Sequence, residues 1–116
     1  MKRILIVENS KLLTVSLVDA MRGKYEIHTC TQGDIALMYL ERLRPDALII
    51  NLGAGGLAVL EHTSYTPPVI LALTDYASSE DLQHAANLGV KQIYYLPCSA
   101  KAVASRLQEM LETVPI

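Results

Sequence analysis

The sequence predicts an α/β fold in which a doubly wound parallel sheet carries helices on both faces. Five short apolar runs alternate with segments in which apolar residues recur at helical spacing. Most of the runs lack polar alternation, which is typical of parallel strands buried on both faces. A chain of 116 residues with 51% hydrophobic and 19% charged residues is expected to form one domain, spanning residues 1–116.

The predicted strands occupy residues 3–7, 25–30, 47–51, 69–73 and 92–96. The second alternates apolar and polar residues, which indicates a half-exposed strand at an edge of the sheet. Right-handed crossovers leave few arrangements for five parallel strands. We therefore expect the flavodoxin-like order 2-1-3-4-5, in which the strand order reverses at a switch point between strands 1 and 3 and functional groups gather at the carboxyl ends of these strands.

Capping residues mark the starts of the predicted helices. Ser10, Ser78 and Ser99 stand where a side-chain oxygen accepts a hydrogen bond from the first helical turn. Thr31 and Asp34 have the spacing of a capping box. Each of these positions directly precedes a segment with helical spacing, so each is expected to begin a helix.

The third and fifth helices differ in expected length. Only 17 residues, Leu52 to Pro68, separate the third strand from the fourth, so the third helix should be short. The last helix should extend as far as Val114. Gly23 and Gly89 are placed to end the first and fourth helices.

Composition argues against several classes of function. The net charge is −2 without a basic cluster, and Trp and Phe are absent, which argues against nucleic-acid binding. The apolar runs are too short for a signal peptide or a membrane span. Cys30 and Cys98 are expected to be reduced thiols of a cytoplasmic protein. His28, His62 and His84 lack the spacing of metal ligands.

Four stretches together resemble the receiver (CheY-like) domain of two-component response regulators. They are Ile4–Asn9, Arg44–Leu52, Pro68–Thr74 and Gly89–Pro97, and they span nearly the whole chain. The resemblance implies a domain of signal transduction and phosphorelay. In that family an aspartate at the end of strand 3 accepts a phosphoryl group from a histidine kinase, beside two acids that hold Mg²⁺, a hydroxyl and a lysine.

Five residues of this chain stand at those positions. They are Asn51 at the phosphoacceptor, Glu8 and Asn9 at the acid pair, Thr74 at the hydroxyl and Leu96 at the lysine. Glu8 and Thr74 fit the family pattern, whereas Asn9, Asn51 and Leu96 depart from it. An amide cannot form an acyl phosphate, and a single carboxylate makes a poor Mg²⁺ site. We therefore expect a pseudo-receiver without aspartyl phosphorylation, enzyme activity, metal or cofactor, with Glu8 as a weak candidate for a cation ligand.

The polar residues of this degenerate pocket leave alternatives open. Glu8 is either a solvated acid, an acceptor of a hydrogen bond from Asn51 or Thr74, or a residual cation ligand. Thr74 is either satisfied by the backbone or acts as a switch residue. Asp75 is expected to be a solvated turn residue.

A ligand-binding module is the alternative function. The segment Gly53–Ala58 fits G-x-G-x-x-A after a strand, and Asp75 ends the next strand, as in dinucleotide-binding folds. The helix after these glycines is short, however, and two βα units precede it. The simpler expectation is that the glycines of the segment Gly53–Gly56 close a shortened loop.

A protein partner or a second copy is expected on the face formed by helix 4, strand 5 and helix 5, which is a common contact face in the receiver family. Tyrosine is favoured at interfaces because a large ring carries a polar tip. Alternatively, one tyrosine is buried and the other covers helix 5. Acids of a second copy, Glu80 and Asp81, would pair with basic residues of this face. The candidate residues are Ile93, Tyr94, Tyr95, Lys101 and Arg106, where Ile93 replaces the aromatic switch residue frequent in that family.

Overall fold

A computed structural model describes residues 1–53 and 55–113 and confirms the alternating α/β architecture. The strands are β1 (Arg3–Val7), β2 (Glu26–Cys30), β3 (Ala47–Asn51), β4 (Val69–Thr74) and β5 (Gln92–Tyr95). The helices are α1 (Lys11–Met21), α2 (Gly33–Leu43), α3 (Gly56–His62), α4 (Ser79–Asn87) and α5 (Ala100–Thr113). Val114, the predicted end of the last helix, and Ala54 lie outside the described residues.

The five strands form one parallel sheet in the order β2-β1-β3-β4-β5, as predicted. Because β1 and β3 are neighbours, with Val7 beside Ile50, the residues that follow these strands come together at the carboxyl edge. Strands β2 and β5 form the two edges, and both are only partly buried.

Two apolar layers hold the helices against the sheet. Side chains of β1, β3 and β4 alternate between the faces, so that Ile4, Ile6 and Ile49 meet α1 and α5 on one side. Leu5 and Ile50 point the other way, into the layer beneath α2, α3 and α4. Burial on both faces explains why the central strands are continuously apolar in the sequence.

Three of the four predicted helix caps are confirmed. The hydroxyls of Ser10, Ser78 and Ser99 each accept a hydrogen bond from the amide three residues later, at 3.1 to 3.2 Å. The prediction of a capping box at Thr31 is wrong. Gln32 occupies the cap of α2 without a side-chain bond, and the Asp34 carboxylate accepts from the adjacent Ile35 amide instead of reaching back.

The remaining length predictions agree with the structure. Helix α3 has seven residues, which matches the shortened helix expected from the brief connection to β4. Gly23 and Gly89 follow the ends of α1 and α4 with φ of 81° and 104°, the left-handed region that favours glycine. None of the helices in the described ranges is long and apolar enough to span a bilayer.

Candidate functional site: a closed hydrogen-bonded pocket

The carboxyl ends of β1 and β3 are joined by a chain of hydrogen bonds through Glu8 and Asn51. The amide nitrogen of Asn51 donates to Glu8 Oε1 at 2.7 Å, and the backbone amide of Ser10 donates to Glu8 Oε2 at 2.6 Å. The amide oxygen of Asn51 accepts from the backbone of Gly53 at 2.8 Å. Every polar atom of the two side chains therefore has a partner of the correct type.

Glu8 is buried, with an exposed fraction of 3%. The alternative that it is a solvated acid is wrong, and its hydrogen-bond donor is Asn51, not Thr74. A carboxylate this deep requires donors to replace water. The Asn51 amide supplies one, whereas an aspartate at that position would place a second negative charge against the first.

The other residues predicted for this pocket lie beside the pair without bonding to it. Asn9 is exposed. The Thr74 hydroxyl is buried and donates to the carbonyl of Tyr76 at 2.8 Å, so it is satisfied by the backbone. Leu96 packs against the layer beneath α1 and α5. Of the five positions, the structure links only Glu8 and Asn51 directly through their side chains.

Little space remains above Asn51. A cavity of about 10 Å³ remains there, bordered by Glu8, Asn9, Asn51 and the glycines of the following loop. That volume accommodates one water molecule at most. The described residues also contain no group of three or more His, Cys, Asp or Glu side chains placed to hold a metal.

The glycines after β3 pack against Asn51. A Cβ atom at Gly56 would lie 2.0 Å from the Asn51 carbonyl oxygen, and Gly55 has φ of 89°. These glycines therefore let α3 begin directly against the strand end, as the simpler expectation held.

This arrangement does not favour the dinucleotide-binding alternative. The cavity beside Gly53 and Gly56 cannot hold a pyrophosphate, and α3 is too short to present an anion site. Asp75 is exposed and lines a different cleft, so the loop and this acid do not form one site.

The residues of the predicted contact face divide between both sides of the sheet. Tyr94 packs beneath α5, where burial raises the pKa of its hydroxyl, while Ile93 packs on the opposite layer. Tyr95 is 51% exposed, whereas Tyr94 is half-buried. Arg106 Nε donates to Gln92 Oε1 of β5 at 2.8 Å. Lys101 instead borders a cavity on the side of α5 that faces α1.

A larger cleft at the same carboxyl edge escaped the sequence analysis. It lies between α1 and the connection from β5 to α5, with a volume of about 460 Å³. Its position depends on how α1 packs beside that connection, which no local motif encodes. Burial, and then the Glu8 carboxylate, raise the pKa of the Cys98 thiol in its wall. The lining residues are Glu8, Ser10, Leu12, Leu13, Ser16, Asp75, Leu96, Pro97 and Cys98.

Solved receiver domains share this fold. A CheY-like response regulator receiver domain from Methanospirillum hungatei superposes with a TM-score of 0.83 at 20% identity, covering 97% of this chain and 94% of that one. The signal receiver domain of a signal transduction histidine kinase from Syntrophus aciditrophicus gives 0.78 at 21% identity, covering 100% and 98%. A response regulator from Thermotoga maritima gives 0.79 at 13% identity, covering 97% and 99%.

The chain therefore has the receiver fold that the resemblance predicted. Neither a scan against protein-family models nor a search of curated proteins gave a match.

Replacing Gly56 by alanine should destabilise the protein strongly, because the new methyl group would overlap the backbone of Asn51. We expect a loss of about 3 kcal/mol or more in the free energy of unfolding, measured by urea denaturation. Gly23→Ala is the control: Gly23 has a φ of 81°, whereas Gly56 lies in a helix without a positive φ, and nothing lies within 4 Å of the methyl group added at Gly23. The control should lose about 1 kcal/mol. Equal losses in both variants would contradict the proposed close packing.

Replacing Asn51 by aspartate should also lower stability, by about 2 kcal/mol at neutral pH, because two carboxylates would then face each other. The loss should shrink as the pH falls and the pair takes up a proton. Asn9→Asp, an exposed change one residue from Glu8, should cost less than about 0.5 kcal/mol.

In wild type, millimolar Mg²⁺ should leave the thermal midpoint unchanged, because a single carboxylate offers too little charge to bind the ion. A rise of several degrees that Glu8→Gln abolishes would refute this account of the pocket.

Proposed function

We propose that this protein is a pseudo-receiver: a signalling domain with the receiver fold that acts through protein–protein contacts without aspartyl phosphorylation. The receiver fold supports a role in signal transduction. The observation that carries the proposal is the hydrogen bond between Glu8 and Asn51, which occupies the place where the family forms its phosphoaspartate.

The chemistry of this pocket argues against phosphoryl transfer. A phosphoryl group needs a carboxylate nucleophile, a divalent cation and positive charge to balance its oxygens. Here the nucleophile position is an amide, a single carboxylate remains to hold a divalent cation, and Leu96 offers no charge. Three separate requirements fail together, so the domain is proposed to have no enzymatic or phosphoacceptor role and to need no cofactor.

Without a phosphoryl switch, association with a partner is proposed to be constitutive. The contact face that we propose is centred on Tyr95 and Arg106, at the edge of the sheet formed by β5. Tyr95 presents a half-exposed ring beside this edge, and sheet edges require pairing or cover. Tyr94 and Ile93 support it from the two apolar layers.

Charge around this face sets orientation more than affinity. Arg106 also lies 3.2 Å from Glu109 on its own helix, so it is not a free cation. Glu80 and Asp81 provide negative charge in the first turn of α4, the helix that precedes β5 in the chain. Exposed pairs of this kind contribute little stability but steer encounter with a partner of complementary charge. The partner is proposed to be a cytoplasmic protein or a second copy, and not a nucleic acid or a membrane.

Incubation with acetyl phosphate and Mg²⁺ should leave the intact mass unchanged, because Asn51 cannot form an acyl phosphate. A receiver domain with a complete acid site, treated in parallel, should gain a hydroxylamine-labile phosphoryl group. Asn51→Asp should restore little, since Asn9 and Leu96 still weaken the cation and phosphate sites. A labile adduct on the wild-type peptide that contains Asn51 would show the proposal to be wrong.

Tyr95→Ser should weaken association by about tenfold, because an aromatic anchor at an interface typically contributes more than 1 kcal/mol. Sedimentation measures self-association, and recovery of partners from native extract measures association with other proteins. Tyr94 is left intact because its truncation would open the core.

Val15→Ser is the matched control for this experiment. Val15 is 48% exposed, close to the value for Tyr95, but lies on α1. It should change neither measurement. A monomeric wild type, together with full recovery of every partner by Tyr95→Ser, would exclude this face as the interface.

A further inference from the structure

The cleft between α1 and the connection from β5 to α5 has the build of a small-molecule site. Its volume of about 460 Å³ lies within the usual range for ligand pockets, roughly 300–1,000 Å³. From the apolar walls and the two carboxylates that line it, we propose that this cleft binds a small organic cation, a primary ammonium group attached to an apolar body.

The apolar part of such a ligand has a matching surface. Leu12, Leu13, Leu96 and Pro97 line the cleft. Leu12 is 80% exposed, which is unusual for a leucine beside a concave surface, and an apolar occupant would cover part of its side chain. Leu96 forms the apolar wall at the position where the receiver family carries lysine.

The ammonium group of such a ligand would meet acidic residues in the cleft. Among the described residues that line the cleft, the ionisable acids are Glu8 and Asp75, and no lysine or arginine accompanies them. Lys11, the nearest basic residue in sequence, lines a separate depression on the side of α1 that faces β2. Glu8 and Cys98 both line the cleft, so Glu8 lies against the same wall as the Cys98 thiol.

Other ligand classes match these residues less well. An anion would meet two carboxylates without a cation to balance it. A metal ion would need a further ligand cluster, and the described residues provide none. An ammonium group uses the acids and can also donate to the hydroxyls of Ser10 and Ser16, which share the lining.

The site is separate from the proposed contact face and does not depend on it. Glu8 faces both the closed pocket and the cleft, but its hydrogen bonds to Asn51 and Ser10 leave further lone pairs on the two carboxylate oxygens. Binding in the cleft therefore requires neither opening of the Asn51 pair nor a protein partner.

Three probes of equal length test the proposal: hexylamine, hexanol and hexanoate. Each is titrated into isotope-labelled full-length protein while backbone amide shifts are followed by NMR. Hexylamine should shift the amides of Leu12, Ser16 and Cys98 in a saturable manner. Hexanol should bind about fivefold more weakly, the value of one exposed ion pair, and hexanoate should not bind. Equal binding of hexylamine and hexanol, binding of hexanoate, or shifts scattered over other acidic residues would each overturn the proposal, as would the absence of any shift.

Variants separate the charge from the apolar wall. Asp75→Asn should reduce hexylamine affinity by up to about fivefold and leave hexanol unaffected. Glu41→Gln, which removes one exposed charge on α2, is the control and should change neither. Leu96→Lys should abolish hexylamine binding by placing a cation in the cleft, whereas Leu96→Met should retain it. Circular dichroism confirms folding of each variant, and unchanged hexylamine affinity in both Asp75→Asn and Leu96→Lys would contradict the site.

Discussion

The hydrogen bond from Asn51 to the buried carboxylate of Glu8 is the interaction on which the carboxyl edge of this sheet depends. Parallel pairing of β1 and β3 brings the two side chains together whatever their chemistry. If both were acids, their repulsion would have to be balanced by a bound cation or by a proton. The amide removes that requirement, because its nitrogen donates to Glu8 while its oxygen accepts from Gly53. The polar atoms of both side chains at this edge therefore have hydrogen-bond partners within the protein.

The glycines that follow β3 allow the chain to pack closely against this edge. Because Gly56 packs its backbone against the Asn51 carbonyl, α3 begins close to the strand and the remaining cavity is about 10 Å³. A pocket that had to admit a hydrated cation and a phosphoryl donor would need more room. The short loop, the short helix and the amide at position 51 are thus consistent with one another.

The sequence predicted those features that depend on periodicity and on chain ends. Apolar runs located the strands, and parallel order then placed Glu8 beside Asn51. It could not decide whether Glu8 was solvated or paired, because that depends on how closely the loop after β3 packs. The capping box predicted at Thr31 is absent for a local reason that the spacing does not reveal: the Asp34 carboxylate accepts a hydrogen bond from the neighbouring Ile35 amide. Lys101 shares a helix with Arg106, yet packing turns the two toward different neighbours.

The cleft and the proposed contact face share one apolar layer. Leu13, Leu96 and Cys98 line the cleft and also pack, with Tyr94, against the core beneath α1 and α5. Tyr95 stands outside that layer, on the next residue of the edge strand. A ligand can alter association at this face only to the extent that it binds the associated and free forms with different affinity. The packing of Tyr94 on that layer offers one path for such a difference, whereas the Thr74 hydroxyl is held by its hydrogen bond to the carbonyl of Tyr76.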